Sequence, residues 1–288
     1  MKISQKTQIA FLRAYLNTLA HFSKLKAGAL TIKLFFTPRK GRLTDDNRQT
    51  LSSATWETLS LRDIKIQTYR WAGEKQTVLL AHGWESNAAR WQQLIKKLRK
   101  KGFSVVALDA PAHGESGSPD FNAFLYAEMI EVVAERFEPA AIVGHSAGGF
   151  SAAFYATHFL HPSVSQLVLL AAPSELNQIF DKSFDLLKLS NKVRLGFYTT
   201  LERMLNKPLE YFSIKEMVKP LAINGLIIHD KTDDVCNFAD GKNIHANWKG
   251  SEFIATEGYG HRLQHDQINN MVLDYLNKEL SKIGTFAP

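Results

Sequence analysis

From residue 64 onward, short apolar runs bounded by turn residues alternate with segments of helical period, and no other feature constrains the fold as strongly. "IKIQTYRW" (64–71) alternates like a half-exposed strand, and "TVLLAHG" (77–83) reads as a buried one. A helix-like stretch at 88–101 leads into the apolar run of "SVVALDAP". Helix 121–137 leads into "AAIVG", and a helix after Ser146 leads into "QLVLLAAP" (166–173). Further runs follow at "INGLIIHD" (223–230) and "EFIATEG" (252–258), with a closing helix at 265–280. Strands that are apolar throughout and separated by helices belong to a mostly parallel central sheet, with helices on both faces. The predicted class is α/β. Residues 174–220 interrupt the alternation, with Leu189, Val193, Phe197, Leu201 and Leu205 at four-residue steps. They are expected to form an inserted helical cap on a domain spanning 49–288.

The N-terminal 48 residues differ in composition. They hold ten Lys or Arg against two Asp, while the remaining 240 hold 25 basic and 26 acidic residues. The net charge of +7 is therefore a property of an arm, and the body is nearly neutral. Ile9, Leu12, Leu16, Leu19 and Phe22 make residues 8–30 an amphipathic helix, which "FFTPRKGR" then ends. An apolar stripe of that kind is expected to dock rather than hang free. Such an arm can also meet a membrane surface weakly, meet nucleic acid, or pair with the protein's own acidic surface. No nucleic-acid partner is expected. No apolar run approaches the roughly 20 residues of a membrane span. A single cysteine, Cys236, rules out an internal disulfide. Both observations suit a soluble protein of the cytoplasm.

"IVGHSAGGF" (142–150) carries the first chemical signal. Gly-x-Ser-x-Gly alone arises by chance in about one chain in ten of this length. Here a buried strand precedes Ser146 and a helix pattern follows it, so the serine sits on a strand-to-helix turn. A hydroxyl is a weak nucleophile and needs a base, itself oriented by a third group. Candidates follow later strands, with His261 in "TEGYGHRL" as the base. "IIHDKTDDVCN" offers Asp230, Asp233 and Asp234 as the acid. "AHGW" ends the strand at 77–81, so the backbone N–H groups of Trp84 and Ala147 can converge on one oxyanion. His82, His113 and Asp109 are expected to fix loops. Phe197 and Tyr198 of the cap are candidate substrate-binding residues.

"HGW" (82–84), "DAPAHGES" (109–116), "GHSAGG" (144–149), the Asp pair 233–234 and "GYGH" (258–261), in this order, resemble the α/β-hydrolase family of serine esterases and lipases. The likeness extends over roughly residues 62–280. It implies the α/β-hydrolase fold and a triad of Ser146, Asp233 and His261, with Asp233 matching the family's acid. It also implies a metal-free serine hydrolase acting on small or medium carboxylic esters. The single "HG" followed by tryptophan departs from the three-glycine loop of some esterases, which by resemblance disfavours bulky tertiary-alcohol esters. Peptide, thioester or carbon–carbon hydrolysis, acyl transfer, and a non-catalytic binding protein remain alternatives on the same fold.

No cofactor is expected. "DKTDDV" places Val235 where a calcium loop requires glycine, and Gly241 where it requires a glutamate. "GYG" lacks the third glycine of a dinucleotide fingerprint.

Overall fold

The structure is a computed structural model that describes residues 4–283. The first three residues of the arm and the last five of the chain lie outside the described residues. In chain order the elements are α1 (Gln5–Phe22), α2 (Lys24–Phe36), α3 (Asp45–Leu51), β1 (Thr55–Leu61), β2 (Ile64–Trp71), β3 (Lys75–Ala81), α4 (Gln92–Lys100) and β4 (Phe103–Leu108). Then come α5 (Ala123–Phe137), β5 (Ala141–His145), α6 (Ala147–His158), β6 (Gln166–Leu170), α7 (Leu176–Leu187), α8 (Asn191–Leu205) and α9 (Ile214–Met217). β7 (Asn224–Asp230), α10 (Phe238–Asn247), β8 (Ser251–Thr256) and α11 (Asp266–Ile283) complete the chain. They divide into two compact units.

The larger unit comprises 38–174 and the chain from Ile214 onward. Its eight strands run in the order β1-β2-β4-β3-β5-β6-β7-β8, antiparallel through β1, β2 and β4 and parallel from β4 to β8. The α/β class is as the alternation required. Leu80, Val105, Val143, Val168 and Ile228 pack on one face with Leu94 and Leu98 of α4 and Val272 and Leu276 of α11. Strand neighbours Leu79, Val106, Ile142, Leu167 and Ile227 are equally buried and point to the other face, where α6 runs along β5 and β6. A strand buried on both sides has no polar face to display, which is why these strands read as continuous apolar runs.

The smaller unit joins the described residues up to Thr37 to Glu175–Ser213. The arm therefore packs with the insertion. It is two helices rather than one over 8–30, because the Ser23 hydroxyl accepts the Lys26 N–H and caps α2 where α1 ends. The N-terminal part of the smaller unit ends at Thr37. Beyond it, the Arg39 N–H donates to Glu85, Arg42 donates to the carbonyls of Gly114 and Ser116, and Arg48 pairs with Glu115, all within the larger unit. Within the smaller unit, Leu16, Ala20, Ala27 and Ile32 are buried. Asn17 accepts the Ser190 N–H at 2.8 Å and donates to the Lys188 carbonyl, tying α1 to the turn between α7 and α8. α2 and α8 cross at two glycines. A Cβ on Gly28 would fall 2.2 Å from the Gly196 backbone, and one on Gly196 would fall 1.9 Å from the Lys24 carbonyl oxygen.

Three buried side chains hold the strand ends of the larger unit. Asp109 accepts hydrogen bonds from Tyr69 Oη (2.6 Å) and from the N–H groups of Ala88 and Glu115 (both 2.9 Å). His82 Nδ1 donates to the Gly83 carbonyl while its Nε2 accepts the Ala110 N–H. His113 Nδ1 donates to the Pro111 carbonyl and its Nε2 accepts the Glu85 N–H. Each ring must stay neutral to accept at Nε2. Burial enforces this, holding His82 well below the ordinary histidine value and lowering His113 to about 4.

Two expectations follow. Helix propensity alone would make Gly28→Ala or Gly196→Ala stabilising by about 1 kcal/mol, but the backbone contacts reverse the sign. Each should lower stability by about 1–3 kcal/mol, read by thermal or urea denaturation, and a raised melting temperature would refute the crossing. For His113, the unfolded chain takes up a proton below pH 6.5 while the folded one resists until about pH 4. Its contribution is whole above pH 6.5 and declines between those values at about 1.4 kcal/mol per pH unit. His113→Gln should flatten the stability–pH profile by about that slope in this window, whatever it costs at pH 7.

Candidate active site

Ser146 stands between β5 and α6 with φ 53° and ψ −120°, a conformation few residues other than glycine adopt. It persists because both sides are fixed. The Ser146 N–H donates to the Leu170 carbonyl at 2.9 Å, and its own carbonyl accepts the Phe150 N–H as α6 begins. A Cβ on Gly148 would lie 2.4 Å from the carbonyl oxygens of both Ala81 and His82. Glycine there lets the first turn of α6 lie against the end of β3.

Three distant segments meet at this serine. Ser146 Oγ and His261 Nε2 are 3.0 Å apart. His261 Nδ1 is 2.9 Å from Asp233 Oδ2 and 3.1 Å from Oδ1. Asp233 Oδ1 also accepts the N–H groups of Val235 and Cys236, each at 2.8 Å. His229 Nε2 lies 3.3 Å from Oδ2. Burial disfavours the Asp233 charge. Hydrogen bonds from His229, His261 and the Val235 N–H outweigh that and hold the carboxyl below its ordinary range.

Asp230 serves another purpose. It accepts from the Thr232 N–H and hydroxyl, the Thr256 hydroxyl and the Tyr259 N–H, joining the ends of β7 and β8. Asp234 is exposed.

The expected oxyanion donors lie on the two segments that pack at the elbow. Ala147 is the first residue of α6, so its N–H is among those a helix leaves without an internal partner. Trp84 follows Gly83, where a Cβ would stand 3.1 Å from Ser146 Cβ. The Trp84 ring meets His113 and Phe121 edge-on at 5.3 Å.

His145, the residue before the elbow serine, holds the backbone rather than meeting the Ser146 hydroxyl. Its Nε2 donates to the His261 carbonyl at 2.9 Å, fixing the backbone of the residue that meets Ser146. Burial, with the charge of Arg90 nearby, keeps His145 neutral. Arg90 adds a second tether by donating to the Arg262 carbonyl, and Gln264 donates to the Arg90 carbonyl. Nothing in the pattern at 144–149 distinguishes such a histidine from one pointing elsewhere. A cavity of about 140 Å³ lies beside this loop, walled by residues 89–93, Leu170, Leu263, Gln264 and Asn269, and none of the three site residues lines it.

The two cap residues named from the sequence belong to the smaller unit. Phe197 is fully buried among Phe35, Phe180, Phe184 and Tyr198, with ring centroids 4.9–5.6 Å away. It fills that unit's interior and has no exposed surface to offer a substrate. Tyr198 donates to Asp181 at 2.7 Å and to the Asn177 carbonyl, which binds α8 to α7. Among the described residues, no group of three His, Cys, Asp or Glu is gathered as a metal site.

Residues 76–213 match the family model of the α/β-hydrolase fold. The chain is 30% identical over 145 residues to a pimeloyl-[acyl-carrier protein] methyl ester esterase of Pseudoalteromonas atlantica, across 50% of this chain and 54% of that one. It is 35% identical over 115 residues to the dihydrolipoyllysine-residue acetyltransferase component of an acetoin cleaving system from Cupriavidus necator, across 38% of this chain and 30% of that one. The chain thus spans between about a third and about half the length of these curated relatives. An esterase from Exiguobacterium antarcticum superposes with a TM-score of 0.61 at 19% identity, covering 79% of this chain and 99% of that one. Sheet order, the elbow at Ser146 and these likenesses agree: the chain has the α/β-hydrolase fold.

Proposed function

We propose that this hydrolase-fold protein is a serine hydrolase that cleaves small or medium carboxylic esters through an acyl-enzyme. One observation carries the reading. His261 is engaged at both ring nitrogens, by Asp233 at 2.9 Å and by Ser146 at 3.0 Å. That is the geometry in which a neutral imidazole is held with Nδ1 protonated and Nε2 free to take a hydroxyl proton. Ser146 Oγ attacks the ester carbonyl carbon as its proton passes to His261 Nε2. The negative charge that develops on the carbonyl oxygen is met by the N–H groups of Trp84 and Ala147. Collapse expels the alcohol, which takes the proton from His261. Water, deprotonated by the same nitrogen, then releases the carboxylic acid. Asp233 remains ionised throughout and stabilises the imidazolium. Ester chemistry is favoured because relatives named as esterases are among those the chain resembles. The single cysteine, Cys236, is buried, which suits a reducing compartment, and the cytoplasm is the proposed location.

A serine-directed fluorophosphonate should label Ser146, and Ser146→Ala should abolish labelling while leaving the melting temperature in place. Label mapped by peptide mass analysis to another serine would remove the nucleophile. Hydrolysis of a panel of short-chain esters, run beside matched thioesters, should favour the esters. Asp233→Asn leaves His261 in the wrong tautomer and should cost roughly 10⁴ in turnover. Asp234→Asn should change turnover less than about tenfold, or 1.4 kcal/mol of barrier. The reverse ranking would exclude Asp233 as the orienting group.

A further inference from the structure

Lys6 is the one exposed Lys or Arg on α1, and no Asp or Glu lies in that helix. At about 100° per residue, Thr7, Phe11, Ala14, Tyr15, Thr18 and Phe22 share one side of the helix, opposite the buried Leu16 and Ala20. Phe11 is 67% exposed, Tyr15 58% and Phe22 84%. On α2 the exposed residues are Lys24, Leu25, Lys26, Ala29, Leu30 and Lys33, and nothing else. Five of the eleven large apolar side chains that stand exposed among the described residues lie on these two helices. Residues 4–37 hold five Lys or Arg and no Asp or Glu. A helix that only covers a core turns charged residues to water. Here the core-facing stripe is satisfied within its own unit, and a second apolar stripe flanked by lysines faces out.

We propose that the exposed side of α1 and α2 is a binding surface for anionic lipid bilayers. Phe11, Tyr15, Phe22, Leu25 and Leu30 enter the boundary between headgroups and acyl chains, while Lys24, Lys26 and Lys33 meet lipid phosphates. Large apolar side chains combined with lysines and no carboxylate are what a helix lying in that interface requires. No described helix is long and apolar enough to cross a membrane, so these helices lie on the bilayer. A second copy of the chain fits less well, because a two-fold contact would set the lysines of one surface against those of its mate. Nucleic acid would use the lysines but give the exposed rings of Phe11, Tyr15 and Phe22 no apolar environment.

The surface stands independently of the ester-hydrolysis reading, and its test reads partition rather than turnover. The full chain is sedimented with vesicles of equal parts phosphatidylglycerol and phosphatidylcholine, and with vesicles of phosphatidylcholine alone. Binding is expected only to the anionic vesicles and should weaken steeply with salt. Lys24→Glu/Lys26→Glu/Lys33→Glu should weaken it at least about a hundredfold. Phe11→Ser/Tyr15→Ser/Phe22→Ser should weaken it at least about tenfold. Both variants replace exposed side chains and should melt with the parent. Absence of binding to the anionic vesicles at low salt overturns the proposal, as does binding that survives both substitutions. A concentration-dependent dimer in sedimentation velocity that the serine variant dissolves would assign the surface to a second copy instead.

Discussion

A Cβ on Gly148 would fall 2.4 Å from two carbonyl oxygens at the end of β3, so α6 begins closer to that strand than any residue with a side chain there would allow. The candidate site depends on this approach. It brings the free N–H at the start of α6 beside the segment 82–84, and it leaves Ser146 to make the turn at φ 53°. Strained backbone of this kind costs on the order of 1–3 kcal/mol and survives only where its surroundings over-determine it. The parallel sheet supplies that over-determination. β5 is hydrogen-bonded on both sides, to β3 and β6, and neither end of the turn can relax without breaking ladder bonds.

The loops around the elbow are held by buried histidines in chosen tautomers. His82 and His113 each accept a backbone N–H at Nε2, and His145 donates to the carbonyl of His261. A neutral imidazole offers one donor and one acceptor at a fixed separation, so it can pin two backbone groups where an aliphatic side chain would leave them unsatisfied. The price is sensitivity to acid. His261, with 16% of its side chain exposed, meets Asp233 and Ser146 through rigid partners rather than through a mobile chain.

The smaller unit solves a separate problem. Its two N-terminal helices bury Leu16, Ala20, Ala27 and Ile32, and the glycine crossing brings the α2 and α8 backbones together. Residues Phe35, Phe180, Phe184 and Phe197 then form an aromatic interior. That interior accounts for Phe180, Phe184 and Phe197 of the insertion, and it is the packing of cap rings on the cap's own helices that sequence patterning favours for most of them.

Short-range signals made the sheet, the elbow at Ser146 and the loop of His261 legible in the sequence, because buried strands and glycine-marked turns are encoded within a few residues. β1, whose residues are all exposed or half-buried at the sheet edge, left no apolar run to read. α10 carries Gly241 in its interior and gave no helical period. The hydroxyl of Ser23 was too small a mark to divide one apparent helix into two. Composition alone left Asp230, Asp233 and Asp234 open and resemblance pointed to Asp233, but only tertiary structure turns that one carboxylate towards His261, because the three share one loop and differ in direction rather than in chemistry. Tertiary structure likewise buried Phe197 against Phe35, more than a hundred residues away. Periodicity tells which side of a helix is apolar, but what covers that side depends on partners that meet only when the chain has folded.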